Sequence, residues 1–272
     1  MSAEQTVYFH VGLGKTGSTF LQKELFPRLD GIQYVGPQQY KKAKAIIKQS
    51  GESKILVSRE FDKQLEEELR SFCDQDANVK VIVCFRRQDE WMASQYRRRV
   101  KNGWLMPFDE FIDVDGNTGY WKVEELNYQS KVELIRSITG NEPLILLYDE
   151  LRNDPRAYLK RISDFLGVAL PQNLSFKPRH RSFSDKQLIV LQTFCRKYVK
   201  SVPRGRSNKL LHWLLYRPVW AFYHLVLYVA KWIPQRFIQQ KELIASGELE
   251  KVRAHFDTDW ECVKNKPHRS GA

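Results

Sequence analysis

The sequence predicts an α/β fold: a parallel sheet flanked by helices, with a helical C-terminal portion. Three observations predict it. Short, apolar, β-branched runs alternate with segments of helical periodicity through the first part of the chain. One of these runs, VKVIVCF at 79–85, is apolar almost throughout, as suits a central strand covered on both faces. From Asp185 onward the pattern is almost wholly helical. Strands alternating with helices imply right-handed βαβ units and a doubly wound sheet.

The elements follow in order. Residues 7–11 read as a buried strand, 12–17 as a glycine-rich turn, and 18–29 as a helix with Phe20, Leu21 and Leu25 at helical spacing. A short strand at 32–35 and a helix at 40–48 come next. A strand at 54–57 precedes a charged helix at 63–72. The strand at 79–85 leads into a helix at 89–100. A last strand at 144–147 is followed by a helix at 158–166. No internal repeat or low-complexity linker interrupts the chain. One domain over 1–272 is therefore expected, with an α/β core at 1–170 and a helical portion at 171–272 packed on it.

Composition narrows the function. The chain has 272 residues, of which 42% are hydrophobic, so it can build a substantial core and is not a disordered chain. Its formal net charge of +12 points to an anionic partner: a nucleotide, a nucleic acid, a membrane surface or an acidic sugar. The basic excess is concentrated, with no Asp or Glu between Lys186 and Lys241. The four cysteines, Cys73, Cys84, Cys195 and Cys262, have neither metal-ligand nor redox spacing. No disulfide framework, zinc site or other metal is expected. The opening MSAEQTVYFH has neither a basic start nor an apolar stretch, so it does not read as a secretory signal, and the cytoplasm is the expected compartment.

The chemistry concentrates in HVGLGKTGSTF, residues 10–20, between a strand and a helix. Glycines let backbone N–H groups converge on an anion, and a helix N-terminus adds partial positive charge. Lys15 can reach a phosphate oxygen, while Thr16, Ser18 and Thr19 offer hydroxyls. The nucleoside-triphosphate loop GxxxxGK[ST] fits at Gly14-Lys15-Thr16 but requires a glycine where Phe9 stands. An acidic strand end at Asp149 and Glu150, in LILLYDE, keeps a P-loop kinase or NTPase as the alternative.

The run Lys15-Thr16-Gly17-Ser18-Thr19 resembles the 5′-phosphosulfate loop of the sulfotransferases that use 3′-phosphoadenosine 5′-phosphosulfate (PAPS). The resemblance implies a P-loop-type fold and PAPS as sulfuryl donor, with PAP as product. It implies that Gly14, Lys15, Thr16, Gly17, Ser18 and Thr19 hold the phosphosulfate, Lys15 also neutralising charge on the bridging oxygen. Phe20 stands where small-molecule relatives carry a stacking tryptophan. It also suits the core face of its helix.

A second motif has the same resemblance. The family's 3′-phosphate site has an arginine at a strand end and a serine eight residues on. Here Arg86 follows VKVIVCF and Ser94 lies eight residues later, with Arg87 allowing a shift of register by one. YDELRNDPRAYLKRISDFLGV, from Tyr148, is similar to a strand end, acidic turn and helix of bacterial and carbohydrate sulfotransferases. The resemblance covers residues 7 to about 170, with a fainter echo near 248–260. The glycine-rich C-terminal cofactor loop of the small-molecule enzymes is absent. KPRHRSFSDKQ stands in its place, with Arg181 and Lys186 as candidates for closing over the nucleotide.

Sulfuryl transfer to a hydroxyl or amine needs a general base. The family uses histidine or glutamate. Ser58-Arg59-Glu60 after the strand KILVS resembles the glutamate type, which implies Glu60 as base and a carbohydrate, glycolipid or other lipid acceptor. A first-turn helix carboxylate is the other reading of Glu60, and His10 is the rival base. A non-enzymatic binder of nucleic acid or membrane is the remaining class, and no nucleic-acid motif is present. Residues 210–233 are long enough to span a bilayer, but Arg217, Pro218, His224 and Lys231 interrupt them. Pro218 is expected to start a second helix after a break. Two readings stand for the segment: a peripheral contact with the inner membrane surface, or a helical hairpin covering the core.

Overall fold

The computed structural model describes residues 5–73, 78–174, 183–199 and 209–266, with the side chains of 209–212 excluded. Five strands, β1 (Thr6–Gly12), β2 (Gln33–Val35), β3 (Lys54–Glu60), β4 (Asn78–Phe85) and β5 (Leu144–Leu147), form one sheet in the order β2-β3-β1-β4-β5. Every pairing is parallel. The helices are α1 (18–28), α2 (Ala43–Gln49), α3 (Leu65–Cys73), α4 (Gln88–Lys101), α5 (Phe108–Phe111), α6 (Tyr128–Thr139), α7 (Tyr148–Asn153), α8 (Pro155–Leu166), α9 (Asp185–Phe194), α10 (Lys209–Ala230) and α11 (Ser246–Lys264). The expected parallel sheet flanked by helices is what the chain forms.

The chain divides into two compact units. The first holds Met1–Arg87, Asn127–Lys177 and Phe256–Ala272, and contains the whole sheet. Strand alternation sends neighbouring side chains of β1 to opposite faces. Tyr8 packs with Leu21, Leu25, Phe26, Tyr158 and Ile162 on one face. Phe9 meets Phe72 at 4.4 Å and Phe61 at 5.8 Å between ring centroids on the other. Phe61 directly follows β3 and Phe72 lies on α3, so this group packs the end of β3 and the helix after it against β1. Each such fully buried aromatic contributes on the order of 1.5–3 kcal/mol.

The sheet order decides where a ligand can enter. From β1 the chain crosses to β2 on one side, returns to β3, then crosses over β1 to β4 and β5. The direction of winding reverses around β1, and ligands of open α/β sheets bind outside the carboxyl ends of strands at such a reversal. Gly12 ends β1 with Glu60 of β3 on one side and Cys84 of β4 on the other.

The second unit holds Gln88–Leu126 and Pro178–His255. Its core is aromatic. Trp91 meets Trp121 edge-on at 5.1 Å, and Tyr96 meets Phe108 at 5.2 Å. Arg97 clasps Asp185 at 2.8 and 3.1 Å, fastening α4 to the start of α9. The break expected at Pro218 does not occur: α10 runs unbroken from Lys209 to Ala230 with Pro218 inside it. A proline costs a helix one N–H and frees the carbonyl four residues earlier. Here that residue is Leu214, which is exposed along with Pro218, so water can serve the freed carbonyl.

Within the first unit a cap links distant segments. Asn127 accepts the N–H of Ser130, while Asp259 accepts those of Tyr128 and Gln129, both at 2.9 Å. Together they serve donors that a helix start leaves without intrahelical acceptors. Asp259→Ala should lower unfolding free energy by about 1–2 kcal/mol, the usual cost of losing an N-terminal cap. Urea denaturation followed by circular dichroism checks this, and an unchanged midpoint would remove Asp259 from that role.

Candidate active site

The turn from β1 into α1 has an unusual backbone. Lys15 has φ 75° and Gly17 has φ 90°, both left-handed. Glycine adopts such a φ freely, whereas lysine does so at a cost. Gly17 is required for a second reason. A Cβ built there would stand 2.6 Å from Leu151 Cδ2 and 3.6 Å from the Tyr148 ring. The loop thus rests against the Leu151 side chain of α7, which would have to shift to admit a larger residue.

Side chains hold the loop from beneath. Thr16 is fully buried and donates its hydroxyl to the Leu13 carbonyl at 2.7 Å. Ser18 is buried beside it, its Oγ 3.4 Å from Thr16 Oγ1. Asp62, just past β3, accepts the Gly14 N–H at 2.9 Å. Lys15 and Thr19 face solvent. The arrangement leaves an ammonium and a hydroxyl outward at a helix N-terminus, where an anion is favoured. Phe20 is half-buried and packs against the core cluster that contains Leu21 and Leu25.

Beyond the loop, α1 is irregular: an α turn at Ser18–Phe20 passes into a π stretch at Leu21–Leu25 and a 3₁₀ turn at Phe26–Arg28. Such π stretches are common near functional sites.

Arg86 leaves the end of β4, the neighbour of β1. Its guanidinium lies over the Tyr148 ring, 4.6 Å from the centroid, and its carbonyl accepts the Tyr128 hydroxyl at 2.7 Å. Tyr148 therefore touches both halves of the site, with Gly17 near one part of its ring and Arg86 over its face. Sequence reasoning took YDELR only as a resemblance and missed this role. The only signal was an aromatic residue at the end of β5, at the carboxyl edge of the sheet. Ser94 lies half-buried on α4 in the second unit. Arg181 lies outside the described residues. Lys186 is engaged elsewhere, donating to the carbonyls of Lys231 and Ile233 at 3.0 Å each.

The two base candidates occupy different settings. Glu60 is the last residue of β3, half-buried, register partner of Gly12. Since α3 begins only at Leu65, Glu60 is not a first-turn helix carboxylate. His10 is fully buried. Its Nδ1 is 2.8 Å from Ser58 Oγ and its Nε2 is 3.5 Å from Cys84 Sγ. Burial pulls its pKa down to about 3, so the ring is neutral and closed to a substrate. Ser58 also accepts from Gln22 Nε2 at 3.1 Å, and Cys84 is 3.4 Å from the Tyr158 hydroxyl. Burial pushes the Cys84 thiol up to about 12. This chain of polar contacts ties β1, β3, β4, α1 and α8 together below the loop, and His10 belongs to it as a fastener.

Both acids of the kinase or NTPase alternative have partners within their own segment. Glu150 accepts the Leu147 N–H at 3.0 Å and the Arg161 guanidinium at 2.6 Å, while Arg161 also donates to the Ile145 carbonyl. Its carboxylate caps α7. Asp149 lies 3.6 Å from Arg152. A cavity of about 720 Å³ lies in the second unit, lined by Asp109, Asp113, Asp115, Tyr120, Glu248 and Lys251 among others, and none of its lining residues belongs to the loop.

Comparison with known proteins bears on this geometry. The structure aligns with that of a sulfotransferase from Alicyclobacillus acidocaldarius at a TM-score of 0.51 and 14% identity, covering 70% of this chain and 92% of the other. The fold is that of a sulfotransferase. Mouse sulfotransferase SULT7A1, solved in complex with PAP, aligns over 93% of this chain and 91% of its own, with a TM-score of 0.39 and 14% identity. A sulfotransferase domain from the olefin synthase of Synechococcus PCC 7002 aligns over 80% and 96%, with a TM-score of 0.40 and 14% identity. No protein-family model and no curated protein matches the sequence. Within this sulfotransferase fold, the loop sits at the end of the central strand, where the winding reverses.

The buried His10 has a consequence for stability. In the unfolded chain it takes a proton near its ordinary pKa of 6.5, while the folded ring resists protonation down to about 3. Its contribution is complete above pH 6.5 and is lost as pH falls through that window, at up to about 1.4 kcal/mol per pH unit. A His10→Gln variant should be less stable at neutral pH and show a shallower loss of stability between pH 6.5 and 4. Denaturation midpoints across that range test it, and parallel curves for the two proteins would contradict it.

Proposed function

We propose that this protein is a PAPS-dependent sulfotransferase, moving a sulfuryl group onto a hydroxyl or amine of a carbohydrate, glycolipid or other lipid acceptor. One observation carries the reading: Lys15-Thr16-Gly17-Ser18-Thr19 forms a strained turn between the central strand and a helix N-terminus, with Lys15 facing solvent. The residues suit a nucleotide bearing phosphates at its 3′ and 5′ positions. Gly14 to Thr19 would hold the 5′ group. Arg86, leaving the adjacent strand, would pair with the 3′-phosphate together with Ser94. Phe20 and Arg181 would contribute to nucleotide contacts. The reading takes 1–272 as one sulfotransferase domain and the cytoplasm as its compartment.

Bound PAPS would supply an activated sulfuryl group for the acceptor, with PAP as the leaving product. The protein's work is positioning and charge neutralisation. Lys15 stabilises negative charge growing on the bridging oxygen. Glu60 takes the proton from the acceptor hydroxyl. Its register beside Gly12, where the loop begins, supports this role. The glutamate type of base, as resemblance implies, favours carbohydrate and lipid acceptors over small phenols.

The test is a transfer assay with radiolabelled PAPS and a cell extract as acceptor pool, followed by identification of the labelled product. Lys15→Ala should cut turnover by about a hundredfold or more, as loss of a transition-state charge partner does, with the circular dichroism spectrum unchanged. Glu60→Gln should lower turnover about a hundredfold with nucleotide affinity preserved. Near-wild-type turnover in Lys15→Ala would refute the donor site, and in Glu60→Gln it would refute only the base. Arg86→Ala should weaken PAP more than adenosine 5′-phosphate in equilibrium binding. Equal losses for both would remove Arg86 from the 3′-phosphate.

A further inference from the structure

Helix α10 carries large apolar residues on its outward as well as its inward side, and only the inward side is used within its unit. Tyr223, Leu227 and Ala230 are buried. Tyr223 packs against Gly103 so closely that a Cβ there would lie 2.6 Å from its ring. Gln187 of α9 donates to the Leu227 carbonyl at 2.8 Å, and Lys186 closes the helix end. The inward face is therefore fixed. The other side leaves Trp213, Leu214, Leu225, Tyr228 and Val229 each more than half exposed, and Trp232, in the turn beyond, 83% exposed. Monomeric proteins rarely expose contiguous apolar surface on this scale without a partner.

Charge distinguishes the partner. From Lys186 to Lys241 the chain carries no Asp or Glu, while Arg217, Lys231 and Arg236 are exposed on or just after the helix. A second copy docking through the same face would bring these cations against their own counterparts, which opposes self-association. Nucleic acid would reward the cations and aromatic rings but gain nothing from burying Leu214, Leu225 and Val229. A bilayer with anionic headgroups rewards all three kinds of residue. Aliphatic side chains enter the acyl boundary, Trp and Tyr sit at headgroup level, and Arg and Lys meet the lipid charge. No helix among the described residues is long and apolar enough to cross a membrane, so the contact would be one of lying on the surface.

We propose that the outward face of α10 and the turn after it dock on an anionic bilayer surface. This inference stands on the second unit alone and does not depend on the sulfotransferase reading. The experiment floats the purified full chain with phosphatidylcholine vesicles and with vesicles of phosphatidylcholine and phosphatidylglycerol. Leu225→Glu and Trp232→Glu run beside it, and circular dichroism and gel filtration are recorded for each. Trp232→Glu, outside the helix, keeps the test valid if Leu225→Glu fails to fold. The expected result is flotation with the anionic vesicles only, reduced at least tenfold in folded variants. A wild-type protein that stays down with both vesicle types would overturn the proposal, as would equal flotation with neutral vesicles or unaffected flotation in the variants. A wild-type dimer that the variants dissociate would also overturn it, assigning the face to a second copy.

Discussion

The contact between Gly17 and α7 constrains the whole candidate site. A Cβ at Gly17 would stand 2.6 Å from Leu151 Cδ2, so a side chain there would push Leu151 off the loop. The backbone makes two left-handed turns, at Lys15 and Gly17, with Lys15 exposed and Thr16 and Ser18 buried. The strain at a lysine with positive φ is about 1–2 kcal/mol. It is offset by burial of β1 and by the Thr16 and Asp62 hydrogen bonds. The loop is thus held by contacts within the protein, which is what a site working by electrostatic stabilisation needs.

The same packing explains how two distant sequence motifs become one place. Tyr148 ends up beside Gly17 because β5 stops there and α7 turns back under the loop. Its ring then gives Arg86 a surface to lie on. Arg86 and the loop leave neighbouring strands, and Glu60 leaves the strand on the other side. Three groups of different chemistry, an ammonium, a guanidinium and a carboxylate, therefore stand at the ends of three adjacent strands. Below them the neutral His10 and its contacts with Ser58 and Cys84 hold those strands in register.

Much of this was legible in the sequence because it is written locally. Each strand is a short apolar run, and the loop is a dense cluster of glycines and hydroxyls at a strand–helix junction. What escaped depends on pairing over long distances. Nothing near Asp259 in sequence announces that it caps a helix beginning at Tyr128. The stretch between α4 and β5 mixes short apolar runs with acids and glycines, so its aromatic cluster of Phe111, Tyr120 and Trp121 had no readable period. His10 looked like a candidate base because a histidine beside a phosphate loop has that chemistry, and only its burial and its contacts with Ser58 and Cys84 show it closed off. Pro218 looked like a break because the exposure that makes a mid-helix proline tolerable is a tertiary fact.

On the proposed function, the loop and Arg86 together recognise a nucleotide with separate phosphates at the 3′ and 5′ positions. Calorimetric titration of the purified protein with adenosine 3′,5′-bisphosphate, set against ATP with Mg²⁺, tests it most directly. Saturable one-to-one binding of the bisphosphate is expected, and none of Mg²⁺–ATP. Binding of Mg²⁺–ATP without the bisphosphate would contradict it.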